Sequence, residues 1–213
     1  MTGPVALDAL ARSRPALAAA GLGLGVAAVG ERLAPAGPAE AAAAGAMPPR
    51  RRREFLAGRH AARRALGAVG LDCGEIPRSG RLPVFPPGRA ASISHSAGIA
   101  VAVARAPGRG DGPLGCDLEL RPLPPHAARL VLRADEEGPL RAGGWSVTAL
   151  FSAKEAAWKA LYVPGREHPG TLRDLRASPS GDVLRIAART GPARTVRVRV
   201  VPVGAGVFSH VLD

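Results

Sequence analysis

Lysine is nearly absent from this 213-residue chain, although the chain is strongly basic. Lys and Arg together number 29, and only two of them are lysine: Lys154 and Lys159, in the stretch LFSAKEAAWKAL. Aromatic residues make up 3% of the chain, so we expect a core built largely from Ala, Val and Leu. Because a compact ammonium differs from a planar guanidinium, two lysines in one short stretch indicate a site that arginine serves less well.

Cysteine is also scarce, and no long apolar run is present. Cys73 and Cys116 lack CxxC spacing, which excludes a disulfide framework and predicts a reduced cytoplasm. The uncharged segment 16–30 follows Arg12 and Arg14, as a signal peptide would. It is too short for a spanning helix, which needs about 20 residues. We favour a glycine-containing buried strand, with an export signal as the alternative, and expect no membrane association.

The net charge of +12 has three interpretations. It indicates nucleic-acid binding, a solvated arginine-biased surface, or a basic pocket for a phosphorylated small molecule. The low aromatic content argues against a protein that stacks single-stranded bases on its side chains. We therefore expect no nucleic-acid partner.

Residue patterns along the chain predict a mixed order of helices and strands, hence an α/β fold of mixed α+β type. The predicted helices are 38–47, an arginine-faced helix that follows it and ends near Gly67 or Gly70, 126–141 and 145–162. The predicted strands are two within 91–105, one at LGCDLEL, and several after Leu172. Residues 77–89 are too rich in Pro and Gly for regular structure.

Two carboxylates share one face of the strand LGCDLEL. Asp117 and Glu119 lie on one side and Cys116 and Leu118 on the other, because strand side chains alternate. Two neighbouring carboxylates repel each other unless a cation lies between them. Oxygen ligands favour Mg²⁺, with Mn²⁺ as the alternative. This motif alone favours the simpler interpretation, a solvated polar strand face.

Glu155 and Lys159 are four residues apart, a favourable pair on a helix. That spacing explains the glutamate but not the choice of lysine. A compact ammonium fits closely against a phosphate or a single reacting oxygen. His95, between two serines in SISHS, predicts by itself only a locally hydrogen-bonded residue at a strand end.

Taken in order, SISHSAGIAVAVA, GCDLE and FSAKEAAWKAL resemble three motifs of the Sfp-type 4′-phosphopantetheinyl transferases. The stretches RRREFLAGRHAARRAL and PRSGRLPVFPPG further resemble the branch similar to enterobactin synthetase component D. The resemblance runs from about residue 50 to residue 162. Trp158 stands where the family more often has Tyr or Phe.

The resemblance implies an enzyme that moves the 4′-phosphopantetheine arm of coenzyme A to a serine of an apo acyl or peptidyl carrier protein. The other product is adenosine 3′,5′-bisphosphate. It also implies two similar pseudo-symmetric α/β halves with the ligand in the cleft between them. We place the divide near residue 110: 1–110 carries the arginine helix and the SHS strand, and 111–213 carries the metal site and the KEAAWK helix.

The resemblance also implies roles for the acidic residues and lysines. Asp117, Glu119 and Glu155 would hold Mg²⁺ against the coenzyme A diphosphate. Glu155 is a candidate base for the carrier serine, with a metal-bound water as its rival. Lys154 and Lys159 would face phosphate oxygens, and Lys159 with Glu155 would be catalytic.

Further residues match family positions that contact coenzyme A. Arg51 is kept as an alternative to its neighbour, and the two loop arginines compete for one contact. The contacts are Arg52, Arg59, Arg78, Arg81, Ser94, His95 and Lys154, together with Lys159.

The resemblance implies a monomer and leans towards secondary metabolite or siderophore biosynthesis. Two alternatives remain beside the transferase. One is a non-catalytic family member that binds coenzyme A or a carrier, and the other is a basic nucleic-acid-binding protein.

Overall fold

The structure is a computed structural model that describes residues 2–108, 112–162, 169–190 and 194–212. Its mixture of helices and antiparallel sheets confirms the predicted α/β class. The helices are α1 (Thr2–Ala19), α2 (Pro38–Gly45), α3 (Pro49–Gly67), α4 (Ala128–Val131), α5 (Ala134–Ala142) and α6 (Val147–Leu161). The strands are β1 (Leu22–Ala28), β2 (Arg78–Ser79), β3 (Leu82–Pro83), β4 (Ala91–Ser96), β5 (Ile99–Arg105), β6 (Cys116–Glu119), β7 (Leu175–Ser180), β8 (Val183–Ala188), β9 (Thr195–Val203) and β10 (Gly206–Val211). No described helix is both long and apolar enough to cross a membrane.

Contacts within the chain define two compact units. The N-terminal unit comprises residues 10–111, and the C-terminal unit comprises residues 112–213 together with residues 1–9. The predicted divide near residue 110 lies outside the described residues. The roles predicted for the halves 1–110 and 111–213 stay predictions.

In the N-terminal unit, α3 packs on a three-stranded antiparallel sheet of order β1-β5-β4. The helix contributes alanines, and β5 is an apolar run buried along almost its whole length. Gly25 of β1 allows the closest approach, because a side chain there would collide with the Ala61 carbonyl of α3. The strands β4 and β5 join through Ala97 and Gly98, both at positive φ, as a tight hairpin requires.

Two expectations for the N-terminal unit need correction. The strand predicted within 16–30 is confined to β1, because the alanine-rich residues 16–19 continue α1. The helix gives way to the strand at Gly21, which adopts the left-handed conformation that favours glycine. Residues 77–89, predicted to be irregular, contain the short hairpin β2–β3 around Gly80, whose φ is +56°.

In the C-terminal unit, α6 packs on a five-stranded antiparallel sheet of order β6-β10-β9-β8-β7. Gly115, just before β6, lies against the Ala156 carbonyl of α6, where a side chain would collide with it. The helix predicted over 126–141 is broken at Leu132, which is extended. The backbone N–H of Arg133 donates instead to Glu136 Oε2 at 3.1 Å, which supports the start of α5.

The register of β6 decides which way its carboxylates face. Asp117 pairs with Ser209, and Ser209 pairs with Val200. The face that they share is the face of Val198, which packs in the core with α6. Asp117 is therefore on the helix side of the sheet and only 4% exposed, so this is not the solvated strand face of the simpler interpretation.

The opposite face of the same strands buries a histidine, His210 of β10. Its ring stacks on Phe208 with centroids 5.5 Å apart, and its Nδ1 has no hydrogen-bond partner within the described part of the chain. Burial lowers its pKa to about 4, and the charge of Arg199 acts in the same direction. The folded protein therefore resists protonation of a group that the unfolded chain protonates near pH 6.5.

Acidification is expected to destabilise the fold through His210. The contribution is fully present above about pH 6.5 and is lost as the pH falls towards 4, because the unfolded state binds the proton first. A difference of this size corresponds to about 3 kcal/mol in the free energy of unfolding. Urea denaturation of wild type and His210→Phe between pH 7.5 and 4.5 measures it: the variant should lose less stability. The exposed His126→Asn variant should follow wild type, and equal slopes for wild type and His210→Phe would contradict the assignment.

Candidate functional site

The acidic cluster, defined as Asp117, Glu119 and Glu155 with Lys159, lies where β6 meets α6. The helix begins after Ser146, whose Oγ accepts a hydrogen bond from the Ala149 N–H at 3.1 Å. Helical geometry then places Glu155 and Lys159 one turn apart on the same face. The strand supplies the other two carboxylates from one face, two residues apart.

Lys159 provides a cation inside this cluster. Its Nζ lies 2.8 Å from Asp117 Oδ1 and 3.0 Å from the Cys116 carbonyl oxygen. Burial acts to lower the pKa of Lys159, but the charges and hydrogen bond of its partners, Asp117 first, outweigh burial and raise it. The side chain therefore stays protonated, although it is only 25% exposed.

The surroundings of Glu155 disfavour the negative charge of its carboxylate. Burial raises the pKa of its carboxyl group, the negative charge of Asp117 raises it further, and Lys159 opposes both. At neutral pH two carboxylates thus share a partly buried position with one ammonium. An additional cation there would favour the ionised form of Glu155.

The donor chemistry of the cluster fits Mg²⁺, because all three side chains offer the carboxylate oxygens that this ion prefers. Within the described residues, however, no three Asp, Glu, His or Cys side chains are grouped closely enough to hold a metal ion. One oxygen of Asp117 is bound to Lys159 instead. The predicted metal ligands Asp117, Glu119 and Glu155 therefore stay a prediction.

Lys154 lies in a different setting from the phosphate site expected of it. Its side chain is fully buried, and its Nζ lies 2.8 Å from Glu136 Oε1 and 2.7 Å from the Val131 carbonyl oxygen. A contact with a ligand would require this pair to open. The helix pattern could have shown this, because Leu150, Lys154 and Ala157 fall on one apolar face.

Glu136, the partner of Lys154, has no motif in the sequence that marks it. Besides Lys154, its carboxylate accepts hydrogen bonds from the Ala177 N–H at 2.8 Å and from Arg189 Nη2 at 2.9 Å. It thereby joins α5, α6 and β7 in the unit that carries the acidic cluster.

A second candidate region, the arginine pocket, lies entirely in the N-terminal unit. It is a cavity of about 540 Å³ to which four arginines contribute, with Glu54 as its carboxylate. Such a pocket favours anions, and phosphates above all. The lining residues are Met47, Arg51, Glu54, Phe55, Gly58, Arg59, Arg78, Arg81, Pro83, Ile93 and His95.

Arg59 holds one wall of the arginine pocket in place. Its Nε donates to the Ile76 carbonyl at 2.8 Å and its Nη2 to the Pro77 carbonyl at 3.3 Å, while its guanidinium lies 4.6 Å from the centre of the Phe55 ring. The Ile76 N–H donates to the buried Glu40 at 2.7 Å, so this residue is fixed on both sides. Burial lowers the pKa of Arg59 to about 10, which leaves it charged at neutral pH.

The hairpin that follows brings Arg78 and Arg81 to the same wall, so the two residues that competed for one contact both line the cavity. On the facing strand, His95 lines the cavity, and its Nε2 lies 3.2 Å from Arg51 Nη1. Ser94, its neighbour on β4, is buried and is not among the lining residues.

Arg52, expected to contact coenzyme A, binds the end of α2 and is not among the residues that line the pocket. Arg52 donates from Nε to the Ala44 carbonyl at 2.9 Å and from Nη2 to the Gly45 carbonyl at 3.3 Å. These carbonyls belong to the last turn of α2, where the regular helical hydrogen bonds end, and the Ala44 carbonyl also accepts from the Met47 N–H at 3.2 Å. Arg51, the alternative, lines the pocket instead.

The comparison with protein families finds a similarity within the N-terminal unit. Residues 38–105 match the family model of the 4′-phosphopantetheinyl transferase N-terminal domain. No curated protein matches the chain significantly. The matched range contains α2, α3 and every residue that lines the arginine pocket. The match supports the interpretation that this chain is a member of the 4′-phosphopantetheinyl transferase family and therefore a transferase.

Proposed function

We propose that this protein transfers the 4′-phosphopantetheine arm of coenzyme A to a serine of an apo acyl or peptidyl carrier protein and releases adenosine 3′,5′-bisphosphate. The observation that carries the proposal is the arginine pocket, because all its lining residues fall within the matched domain. The further proposals are an Sfp-type enzyme of the branch similar to enterobactin synthetase component D, a cytoplasmic monomer, and a role in secondary metabolite or siderophore biosynthesis.

The arginine pocket is proposed to bind phosphates of coenzyme A. Arg78, Arg81 and Arg51 supply guanidinium groups, whose planar donors suit phosphate oxygens. Arg59 acts partly through the hairpin that it holds, since two of its donors are already bound to carbonyl groups. His95 lies beside Arg51 and supplies a further polar group to the pocket.

The acidic cluster is proposed to hold Mg²⁺ through Asp117, Glu119 and Glu155. When bound, the ion would neutralise charge on the diphosphate as the bond to the leaving group breaks. In the transfer, the serine oxygen of the carrier forms a bond to the phosphorus of the phosphopantetheine arm. The bond from that phosphorus to the bridging oxygen breaks, and the electron pair leaves with adenosine 3′,5′-bisphosphate.

Glu155 is proposed to accept the proton of the serine hydroxyl. Burial raises the pKa of Glu155 in the metal-free protein, whereas a bound cation would lower it, so this role rests on the place of Glu155 in the acidic cluster. Lys159, held one turn away, places a positive charge next to the same cluster. Both residues project from α6, so the helix positions base and cation together.

The test is the intact mass of several apo carrier proteins after incubation with this protein, Mg²⁺ and coenzyme A. A gain of one phosphopantetheine that is lost with EDTA is the expected result. No gain, with coenzyme A still bound, would favour a member that only binds. Neither gain nor binding would contradict the proposal, and a steep salt dependence of DNA affinity would then favour nucleic-acid binding.

The adjacent arginines Arg51 and Arg52 offer a matched pair for the pocket. Arg51→Ala should weaken coenzyme A binding about 10-fold, the loss expected for one charge-assisted hydrogen bond. Arg52→Ala should leave the affinity nearly unchanged and lower Tm, because it removes the partner of the α2 carbonyls. Isothermal titration calorimetry and thermal unfolding separate the two effects, and the reverse assignment would contradict the structure.

A further inference from the structure

The acidic cluster already contains a cation, the ammonium of Lys159. It contacts an oxygen of Asp117 at 2.8 Å and the carbonyl of Cys116 at 3.0 Å. The charges that act on Glu155 are those of Lys159 and Asp117. Lys159 therefore offsets part of the negative charge of these two carboxylates in the metal-free protein.

A divalent cation and this ammonium would compete for the same oxygen. Both prefer a carboxylate, and they repel each other at close range in a partly buried position. An ammonium on a flexible four-carbon stem can move, whereas a strand carboxylate that is 4% exposed has little freedom. The lysine is thus the group that would yield.

We propose that Lys159 is a place-holding cation, which occupies Asp117 in the metal-free protein and is displaced when Mg²⁺ binds. The proposal rests on the proposed function only in naming Mg²⁺ as the ion. Lys159 has a route outwards because a quarter of its side chain is exposed, whereas the side chain of Lys154 is fully buried.

The exchange has a consequence for the order of binding. Mg²⁺ alone must remove an ammonium from its partner, so it should bind weakly. A ligand that brings a diphosphate offers the displaced ammonium new oxygen partners. Phosphate ligand and metal should therefore each strengthen the binding of the other.

The scarcity of lysine makes the exchange directly visible. With lysine labelled at ¹³Cε and ¹⁵Nζ, NMR spectra contain signals from two side chains, those of Lys154 and Lys159. Addition of MgCl₂ should shift the Lys159 signals and speed exchange of its ammonium protons. The Lys154 signals should stay unchanged and serve as the internal reference.

Asp117→Asn is the matched control, because it weakens the ion pair without a change in side-chain size. Its Lys159 signals should shift before any Mg²⁺ is added, and added Mg²⁺ should then have little further effect. Fixed Lys159 signals in wild type at saturating Mg²⁺ would overturn the proposal, and so would a lack of Mg²⁺ binding by calorimetry when coenzyme A is present. Displacement without carrier modification would support the place-holder and contradict the transferase, so the two proposals fail separately.

Discussion

Glu155→Gln should reduce carrier modification by a factor on the order of 10² to 10³ while it raises the thermal stability of the protein. The loss follows from removal of both a proposed metal ligand and the proposed base, each of which contributes on this scale. The gain follows from the raised pKa of Glu155: the fold holds its ionised form at a cost, and glutamine carries no charge. Intact mass against time gives the rate, and thermal unfolding gives Tm.

The size of the stability effect depends on pH. The folded pKa of Glu155 lies above its unfolded value, so its favourable contribution is present at low pH and is lost as the pH rises through the folded pKa. The difference in Tm between Glu155→Gln and wild type should therefore be largest at neutral pH and shrink towards pH 4. The exposed Asp182→Asn variant is the control and should retain the transfer rate. Full activity in Glu155→Gln would exclude this residue as the base.

Lys154→Met should cost about 3 to 5 kcal/mol in the free energy of unfolding, the usual cost of breaking a buried ion pair. Glu136 would keep its contacts with Arg189 and with the Ala177 N–H, yet it would lose the ammonium that lies 2.8 Å away in a fully buried position. Lys154→Arg should also destabilise the protein, because a planar guanidinium is larger than the ammonium that this site encloses. Urea denaturation measures both.

A double variant tests whether the cost belongs to the pair. Lys154→Met combined with Glu136→Gln should be more stable than the sum of the two single losses predicts, since the buried charge left behind is removed. Asp182→Asn breaks an exposed pair with Arg199 and should cost less than 1 kcal/mol. A loss of similar size for Lys154→Met would show that the buried pair contributes little.

The two lysines therefore have different roles in the structure: Lys154 pairs with the buried Glu136, and Lys159 pairs with Asp117. Both lie close to Glu155 in the sequence, and the family resemblance places both against phosphate oxygens. The structure separates them: Lys154 lies on the apolar face of α6 and Lys159 on the face towards β6. A helical projection of α6 shows that the two lysines lie on different faces. The partner Glu136 is harder to predict, because it lies 18 residues away in α5 (Ala134–Ala142), whereas the sequence pattern predicts one helix over 126–141.

Local patterns predicted the elements well where composition was distinctive. The apolar strands of 91–105 and the helix of 145–162 appear nearly as expected, as β4, β5 and α6. Arg51 and Arg52 show what local patterns cannot decide. They are adjacent on α3, and only the packing of α2 against it determines which arginine serves the helix end and which lines the pocket.

The contact between Gly115 and Ala156 has a consequence for how the protein tolerates change. Gly115 lies two residues before Asp117, and Ala156 follows Glu155 directly, so main chain touches main chain beside both carboxylates. Their separation is then set by backbone dimensions and not by the volume of core side chains. At position 115 a single methyl group would therefore push β6 away from α6 and alter the spacing of the acidic cluster.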